Sequence, residues 1–518
     1  MRKNLLALSI AAMVGGLSGA ANAAVLVNTG ADLAATATTL AAAVTPAVAL
    51  NPTVTGVGHI LVVPYFTTQG TNATLLNLVN TDTVNGKAVK LRFRGASNSD
   101  DIFDITIFLS PGDMWTANVS ASGELSALTT SDNSCTLPSK ADIVAQGGLF
   151  KTGRVLGAAA SETREGYIEI LNMADIPPAA GATTLFTAIK HVPNASGVGV
   201  APCTAATMNN QEFDLLAGDA THDPVVRGYS WPTGTLMANW TIVNLADKAS
   251  FSGEAIAVRA ETAGGLPAQG NIVFFPQTTD TPTYPAAITV ANYTADPVLR
   301  LPAFAAQVAN YDFPDLSTPY AGNPAPVAPA GNSADMQATA LAGALQTTQV
   351  VNEFLTGGIA DFATDWVFSM PTRRYAVGLN YAAAPAARLT LNAGVVNHFT
   401  AANTLLNATG TQACVLPGGP LRAYDHEENT KTTFVISPDV ALRFCGETSV
   451  LSFNSTTGSQ VLGAKIATMN INAGYAAGWL RISTAGLGAG NGLPIVGYAA
   501  AKAKGVNLGG TWAHRTAR

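Results

Sequence analysis

Charged side chains are scarce in this chain of 518 residues. Asp, Glu, Lys and Arg together make up 12% of the sequence, whereas they make up about 25% of an average soluble protein. The formal net charge is −6, and the lysines and arginines form no basic run. Because nucleic-acid binding depends on clustered basic side chains that displace counterions, this composition argues against DNA or RNA as a partner.

Long apolar runs are also missing beyond the N-terminus. No later segment reaches the 18 or more uninterrupted apolar residues that indicate a membrane-spanning helix. The N-terminal run Leu5–Val14 is too short to span a bilayer, but it follows the basic pair Arg2-Lys3 and precedes the small-residue pattern Ala21-Asn22-Ala23. These features are typical of a secretory signal peptide. We therefore predict that residues 1–23 are a signal peptide and that the exported, cleaved chain has no transmembrane helix.

Cysteine is rare, and its spacing excludes the usual zinc sites. The chain has four cysteines, Cys135, Cys203, Cys414 and Cys445, and no C-x-x-C pair. An even number of cysteines in an exported chain predicts two disulfides. Pairing by proximity along the chain gives Cys135–Cys203 and Cys414–Cys445, although four cysteines allow three connectivities.

Recognisable catalytic motifs are absent. The mature chain has no G-x-S-x-G nucleophile motif, and its glycine-rich run from Gly486 to Gly492 lacks the spacing of a nucleotide-binding loop. His426 is followed by Glu427, but Thr430 stands where a zinc-protease motif needs a second histidine. We therefore predict no catalytic, cofactor-binding or metal-binding residue, and we lean towards a protein without enzymatic activity. A pair of glycosidase carboxylates far apart in sequence stays open, because such pairs leave no local signal.

Two acidic segments are candidates for a calcium site. One is the loop Asp425-His426-Glu427-Glu428, and the other is Asn98–Asp101 together with Asp104. Calcium favours clustered carboxylates but needs six or more oxygen ligands. The sequence does not supply that number at either place, so we favour solvated acidic loops.

The apolar residues that are present alternate with polar ones, which is typical of half-buried β-strands. Val89, Leu91 and Phe93 alternate with Lys90, Arg92 and Arg94, so this strand is predicted to have one apolar and one cationic face. Asn85-Gly86 predicts a hairpin turn before it. The full set of predicted strands is Leu75–Val79, Ala88–Phe93, Phe103–Leu109, Tyr167–Leu171, Thr235–Val243, Ala255–Arg259, Ile272–Phe275, Leu389–Val395, Thr432–Ile436, Val450–Phe453 and Ile466–Ile471.

The order of these segments predicts how the chain is divided into domains and linkers. An Ala/Thr-rich segment, 24–52, precedes one or more β-rich domains over 53–314, a Pro/Gly-rich linker or long loop over 315–334, and a helix with a second β-rich domain over 335–518. The helix is predicted from the cap Asn332 and the apolar spacing Leu341, Leu345, Val351 and Phe354, with Gly357-Gly358 at its end. Many short strands with one or two short helices predict a mainly β fold of antiparallel β-sandwiches, jelly-roll or immunoglobulin-like.

The segment Thr364–Tyr375 offers the most distinctive side chains. Trp366, Phe368 and Met370 fall on one predicted strand face, and Arg373-Arg374 follows. One interpretation is a ligand platform for a sugar or an anionic glycan. We favour a core strand, with an arginine paired to Asp365 or to an acidic loop, because a tryptophan on an apolar strand face is usually buried.

Several segments carry a family resemblance: Thr130–Cys135, Glu165–Asp175, Thr364–Tyr375, and Gly492–Gly497 with the ending His514-Arg515. They resemble those of a family of exported proteobacterial proteins labelled hypothetical or cell surface proteins, and the resemblance runs through most of the mature chain. It implies an exported, surface-associated protein. Because the family carries no known activity, the resemblance implies no catalytic residue.

These observations lead to three hypotheses of function. The first is a non-enzymatic cell-surface or envelope protein, structural or adhesive, that acts by self-association or by contact with envelope glycans, with the periplasm as the second location. The second is a secreted or periplasmic carbohydrate-binding or glycan-acting protein, by analogy with other sandwich folds. The third is an outer-membrane β-barrel, which the 7% aromatic content disfavours because such barrels carry aromatic girdles. No cofactor is expected.

Overall fold

The computed structural model describes a defined part of the chain. The described residues are 24–26, 28, 45–153, 155–178, 184–208, 227–274, 311–312, 334–381, 383–391, 398–438, 441–485, 492–504 and 508–518. The predicted signal peptide lies outside them, as does the predicted linker apart from Ala334. The division into domains at that linker stays a prediction.

The first half of the chain forms two sheets, called sheet 1 and sheet 2. Sheet 1 has seven strands in the order Ala49–Pro52, Ile256–Glu261, Ile60–Thr67, Glu165–Ile176, Gly86–Gly95, Asp101–Leu109 and Cys135–Leu137. Sheet 2 has five strands in the order Ala249–Glu254, Leu236–Asn244, Asn72–Asn80, Met114–Ser122 and Leu125–Thr129. Every neighbouring pair in both sheets is antiparallel.

A shared apolar core joins sheets 1 and 2 into a sandwich. Val63, Leu91 and Ile168 from sheet 1 belong to the same buried cluster as Trp115 and Trp240 from sheet 2. Period-two alternation explains this packing, because every second side chain of a strand points to the same face. Sheet 2 follows that pattern in its strand Asn72–Asn80, whose buried and less buried residues alternate along the strand.

The second half of the chain forms sheet 3 and sheet 4. Sheet 3 has six strands in the order Val435–Ser437, Thr468–Asn472, Thr448–Phe453, Phe362–Ser369, Val496–Ala503 and Leu508–Ala513. Sheet 4 has five strands in the order Thr430–Lys431, Leu421–Tyr424, Ala477–Ser483, Gln349–Leu355 and Arg515–Ala517. Pairing is antiparallel except between Thr448–Phe453 and Thr468–Asn472, which run in parallel. Apolar residues of sheets 3 and 4 share a buried cluster, so the prediction of a mainly β fold of antiparallel sandwiches is confirmed.

Smaller elements connect these sheets. Short strands pair as Ala24–Leu26 with Ile272–Phe274, Val192–Pro193 with Gly199–Val200, Gln346–Thr347 with Leu493–Pro494, and in the triplets Tyr311–Asp312, Val377–Asn380, Leu389–Leu391 and Thr404–Leu406, Ala413–Val415, Phe444–Cys445. The described α-helices are Lys140–Ala145, Leu185–Ile189, Ala205–Met208 and Ala334–Leu345, and the 3₁₀ turns are Leu156–Ala158, Ala160–Thr163, Arg373–Tyr375 and Pro385–Ala387. No helix within the described ranges is long and apolar enough to cross a membrane.

Both predicted disulfides are confirmed. Cys135 is bonded to Cys203, and Cys414 is bonded to Cys445. Each bond closes a loop within one half of the chain, as pairing by proximity suggested. Most predicted strands overlap observed ones, although Thr432–Ile436 overlaps Val435–Ser437 only at its end and Leu389–Val395 is described only as far as Leu391.

The predicted extension of the helix to Phe354 is wrong. The helix ends at Leu345, and Gln349–Leu355 is a strand of sheet 4. In that strand Val350, Asn352 and Phe354 are buried and their neighbours are more exposed, which is the period-two pattern of a sheet. The predicted cap Asn332 lies outside the described residues.

The predicted hairpin at Asn85-Gly86 is also wrong. The strand before it, Asn72–Asn80, belongs to sheet 2, and the strand after it, Gly86–Gly95, belongs to sheet 1. The turn therefore carries the chain from one layer of the sandwich to the other. Gly86 is required there by a close approach, because a Cβ at this position would lie 2.9 Å from the carbonyl oxygen of Leu109 and 2.7 Å from Ile189 Cδ1.

Candidate functional site

The distinctive segment around Trp366 is part of the core. Trp366 is fully buried, and its Nε1 donates a hydrogen bond to the Glu353 carbonyl oxygen at 2.9 Å. This agrees with the interpretation as a core strand and removes Trp366 as a ligand platform. The prediction gave an arginine of this segment two alternative partners, Asp365 or an acidic loop. The first is wrong, because Asp365 accepts hydrogen bonds from the Val461 and Leu462 N–H groups at 2.9 and 3.0 Å. Arg373 instead pairs with Glu447, in the bend before the strand Thr448–Phe453.

The two acidic segments differ completely in environment. Asp425 accepts hydrogen bonds from the Asn429 side chain and from the backbone of Glu427 and Asn429, so it closes a local turn. His426 is 76% exposed in that loop, as expected for a solvated acidic loop. Asp101 and Asp104 are instead buried beside basic side chains. No group of three or more potential metal-ligating side chains occurs among the residues described here.

The cationic face of the strand Gly86–Gly95 is buried, which corrects the expectation of a half-buried strand. Lys90 Nζ lies 3.6 Å from Asp104 Oδ2, and Arg92 Nε lies 3.8 Å from Asp101 Oδ2. Arg94 Nε lies 3.3 Å from Glu169 Oε2 on the neighbouring strand of sheet 1. We call the following buried residues the ionic cluster: Lys90, Arg92, Arg94, Asp101, Asp104, Glu169 and Arg374.

The ionic cluster connects residues that are far apart in the chain. Arg374 lies in the turn that follows the strand Phe362–Ser369 of sheet 3. It donates to both Glu169 oxygens at 3.1 and 3.2 Å. Next to it, Arg373 donates to Glu447 Oε2 at 2.6 Å and to the Ser97 carbonyl oxygen at 3.3 Å. Moving a charged group out of water costs several kcal/mol, so a buried charge requires a partner with good geometry. The cluster therefore fixes the position of the Arg373–Tyr375 turn against sheet 1.

Glu165 forms a second polar contact between the two halves. Its Oε1 accepts the Lys465 N–H at 2.6 Å, and its Oε2 accepts the Tyr65 hydroxyl at 3.0 Å. Burial raises the pKa of Glu165 from 4.5 to about 7, although both hydrogen bonds oppose that rise. The folded protein therefore retains a proton on this carboxyl group at pH values where the unfolded chain has lost it.

We expect Glu165 to make the protein less stable as the pH rises. A folded-state pKa above the unfolded value gives stability that is complete below pH 4.5 and is lost as the pH rises through about 7. The effect of this one group is about 3 kcal/mol, at 1.36 kcal/mol per pKa unit. Glu165→Gln keeps the shape and has no proton to lose: its oxygen accepts the Lys465 N–H, and its Nε2 donates to the Tyr65 hydroxyl oxygen. Its unfolding free energy is therefore expected to fall less than that of the wild type between pH 4.5 and 8.

Urea unfolding at several pH values measures this difference. Glu427→Gln, which changes an exposed loop residue, serves as the matched control and is expected to follow the wild type. Identical pH dependence in Glu165→Gln and the wild type would contradict the assignment.

The histidines that the structure describes do not come together as a site. His59 is fully buried and accepts the Ala260 N–H at Nδ1, His398 Nδ1 contacts the Gly492 carbonyl oxygen, and His191 lies beside Asp113. His514 is packed against Trp366 and Phe368. His222 lies outside the described residues.

An open cleft of about 850 Å³ at one end of sheet 3 is the best candidate for a binding site. We call it the amide cleft, because asparagine, glutamine, serine and threonine side chains line much of it. Its polar and aromatic lining residues are Thr356, Asp361, Phe362, Ser437, Phe453, Asn454, Ser455, Thr456, Gln460, Asn470, Asn472, Tyr475 and Lys504. A volume of this size is in the range typical of small-ligand sites.

The walls of the amide cleft are fixed by hydrogen bonds. Asn454 Nδ2 donates to Thr356 Oγ1 and to the Tyr475 carbonyl oxygen, both at 2.8 Å, and its Oδ1 accepts the Ala473 N–H at 2.9 Å. These bonds hold two loops together and place the Tyr475 backbone at the rim. The cleft is therefore built from an ordered frame before any ligand enters.

One polar atom in the wall of the cleft has no hydrogen-bond partner among the described residues. The Oδ1 atom of Asn470 is buried, and none of the residues that the structure describes donates a hydrogen bond to it. An unsatisfied buried acceptor costs about 1–3 kcal/mol, and because Oδ1 is enclosed, a ligand hydroxyl would contact it only after the Asn470 side chain turned towards the cleft. Lys504 and Asp361 lie 3.6 Å apart and offset each other's charge. The cleft is thus polar with little net charge.

Sequence analysis did not identify this cleft. Its lining comes from separate segments around 356–362, 435–437, 453–460, 470–476 and 504, and none of these carries a motif. The one usable signal is the pair Asn470 and Asn472, which share a strand face at the end of sheet 3. Comparisons with protein-family models, with curated proteins and with solved structures found no match to this chain.

Proposed function

We propose that this chain is a non-enzymatic, exported cell-surface or envelope protein that adheres by binding neutral glycans in the amide cleft. The observation that carries the proposal is the cleft itself, a polar cavity of about 850 Å³ lined largely by amide and hydroxyl side chains. Amide and hydroxyl side chains both donate and accept hydrogen bonds, which matches the hydroxyl groups of a sugar.

The remaining features of the cleft fit the same ligand. Tyr475 and Phe362 are aromatic residues of the lining, and an aromatic face packs against the C–H face of a pyranose ring. The single ion pair between Lys504 and Asp361 leaves little field to attract a charged ligand. A neutral sugar therefore suits the lining better than a nucleotide or a phosphate.

The single carboxylate among the described lining residues favours binding over hydrolysis. Glycosidases use two carboxyl groups, which flank the scissile bond about 5–10 Å apart. Among the described lining residues, Asp361 supplies the one carboxylate. Its side chain is 65% exposed and lies beside Lys504, which differs from the desolvated setting that raises the pKa of a catalytic acid. The proposal is therefore one of adhesion without bond cleavage.

Export is supported by the signal-like N-terminus and by the two disulfides, which persist in oxidising compartments. At the cell surface, a sandwich with fixed loops offers a rigid frame for repeated contact with glycans. The low density of charge reduces non-specific attraction to polyelectrolytes.

A neutral-glycan array with the cleaved, disulfide-bonded protein tests the proposal. We expect specific binding that falls at least about tenfold in Asn470→Leu and in Tyr475→Ala, because each substitution removes interactions worth about 1.4 kcal/mol or more. Asn118→Ala, on sheet 2, is the matched control and is expected to bind as the wild type. The proposal fails if no neutral glycan binds, or if the cleft variants bind unchanged. Release of sugar from a bound oligosaccharide would replace adhesion by hydrolysis.

A further inference from the structure

The outer face of sheet 4 carries three arginines in one cross-strand row. Arg422 is paired in register with Arg481, Arg481 with Val351, and Val351 with Arg515. We call Arg422, Arg481 and Arg515 the arginine row. The opposite face of these strands holds Ala423, Leu480 and similar residues, which are buried, so the row points away from the core.

Two aromatic rings stand beside the arginine row on the same face. Tyr424 and Trp479 are paired in register two residues along their strands, and their rings are stacked with centroids 4.0 Å apart. On the next strand, Glu353 is paired with Trp479, and Arg515 Nη1 lies 3.3 Å from Glu353 Oε1. That ion pair offsets one of the three positive charges.

Among the residues that the structure describes, the other two positive charges have no carboxylate partner. Within the described ranges, no carboxylate forms an ion pair with Arg422 or Arg481, although the two are direct cross-strand neighbours. Like charges placed directly opposite each other destabilise a sheet. Elsewhere the chain gives its strand arginines close carboxylate partners, as Glu169 does for Arg94. Two adjacent uncompensated arginines on an exposed face are therefore suited to an anion from outside.

We propose that the outer face of sheet 4 binds an acidic polysaccharide, with Arg422 and Arg481 each holding a sugar carboxylate. Guanidinium groups bind carboxylates in a bidentate geometry. Adjacent strands lie about 4.7–4.9 Å apart, so Arg422 and Arg481 present two neighbouring guanidinium groups that can contact carboxylates of one polysaccharide chain. The Tyr424–Trp479 pair offers apolar surface for the sugar rings, and Gln349 and Ser483 offer polar groups on the same face.

The other polyanions fit this face less well. Nucleic acid and anionic lipid both present phosphates to a broad basic surface, whereas this chain has a net charge of −6 and the face also holds Glu353. A polysaccharide needs only the narrow strip formed by the two arginines and the aromatic pair. The proposal concerns a different surface from the amide cleft and does not depend on it.

Binding of alginate, a polymer of uronic acids, to the disulfide-bonded chain tests this proposal. We expect binding at low salt that weakens as salt rises, and a loss of about tenfold or more per arginine in Arg422→Gln and Arg481→Gln. The double variant should fold normally, because both side chains lie on the surface and their mutual repulsion is removed. Lys190→Gln, at an exposed position in the other half, is the matched control and should bind alginate as the wild type.

Competing probes decide the class of ligand. Neutral dextran should not bind this face, and double-stranded DNA and vesicles of phosphatidylglycerol should bind more weakly than alginate. Equal or tighter binding of DNA or of the vesicles would overturn the choice of a polysaccharide. Unchanged alginate binding in the Arg422→Gln, Arg481→Gln double variant, or no binding by the wild type, would overturn the site. Asn470→Leu should leave alginate binding intact, so failure at the amide cleft and failure at this face are distinguishable.

Discussion

The variant Glu169→Gln is expected to lower the free energy of unfolding by about 3–5 kcal/mol, because it leaves buried cations short of a counter-charge. Glu169 accepts hydrogen bonds from Arg94 at 3.3 Å and from Arg374 at 3.1 and 3.2 Å. Both arginines are almost fully buried. A neutral amide has one acceptor oxygen and two N–H donors, and those donors would face the guanidinium groups.

Urea unfolding of the wild type and of Glu169→Gln measures this loss. The matched control is Glu353→Gln, which removes the exposed partner of Arg515. Exposed ion pairs contribute about 0–1 kcal/mol, so the control is expected to unfold close to the wild type. A loss below about 1 kcal/mol in Glu169→Gln would show that the ionic cluster does not hold the Arg373–Tyr375 turn in place.

A double-mutant cycle with Arg374→Met separates the pair from its surroundings. If Glu169 and Arg374 act together, the double variant loses less stability than the sum of the two single variants. Arg94 stays buried next to residue 169 in every variant. The cost of its burial therefore affects Glu169→Gln equally with and without Arg374→Met, and it cancels in the coupling energy. Additive losses would mean that each residue acts through other neighbours.

The ionic cluster was only partly predictable from the sequence. The alternation from Val89 to Arg94 correctly predicted a strand and its two faces, because that pattern depends only on local geometry. It did not show that the cationic face is buried, since the same alternation fits a face in contact with water. Glu169 and Arg374, which complete the cluster, lie 75 and 280 residues from Arg94, and no local pattern connects them.

The two candidate ligand surfaces depend on tertiary structure in the same way. The aromatic and arginine pattern at Trp366 and Arg373-Arg374 is buried, whereas a similar combination on the outer face of sheet 4 is half-buried to exposed and comes from three separate strands. Composition predicts which residue types bind sugars or carboxylates. Strand order and register decide which of them meet, and neither is encoded within a single segment.

His514, a half-buried side chain, connects this packing to pH. Its Nδ1 lies 3.0 Å from Asn352 Nδ2, and its Nε2 lies 2.9 Å from the Val367 carbonyl oxygen. An amide nitrogen donates and a carbonyl oxygen accepts, so the neutral ring carries its proton on Nε2 and accepts at Nδ1. A second proton on Nδ1 would face the Asn352 donor. Burial lowers the pKa of His514 from 6.5 to about 3, although the Val367 carbonyl opposes that change.

Acid is therefore expected to destabilise the protein through His514, with the opposite sign to Glu165. A basic group with a lowered folded-state pKa gives stability that is complete above pH 6.5 and is lost as the pH falls towards 3. Between pH 6 and pH 4 the loss from this ring is about 2.7 kcal/mol, at 1.36 kcal/mol per pH unit. His59, whose pKa burial also lowers to about 3, adds a similar loss.

The pH slope of the unfolding free energy isolates the contribution of His514. The variant His514→Gln loses ring packing at every pH, but its slope between pH 6 and pH 4 is expected to be shallower than that of the wild type by about 1.4 kcal/mol per pH unit. His426→Gln, at an exposed loop position, is the control and should keep the wild-type slope. Equal slopes in His514→Gln and the wild type would mean that the ring is protonated in the folded state, which would require Asn352 to turn its carbonyl oxygen towards Nδ1.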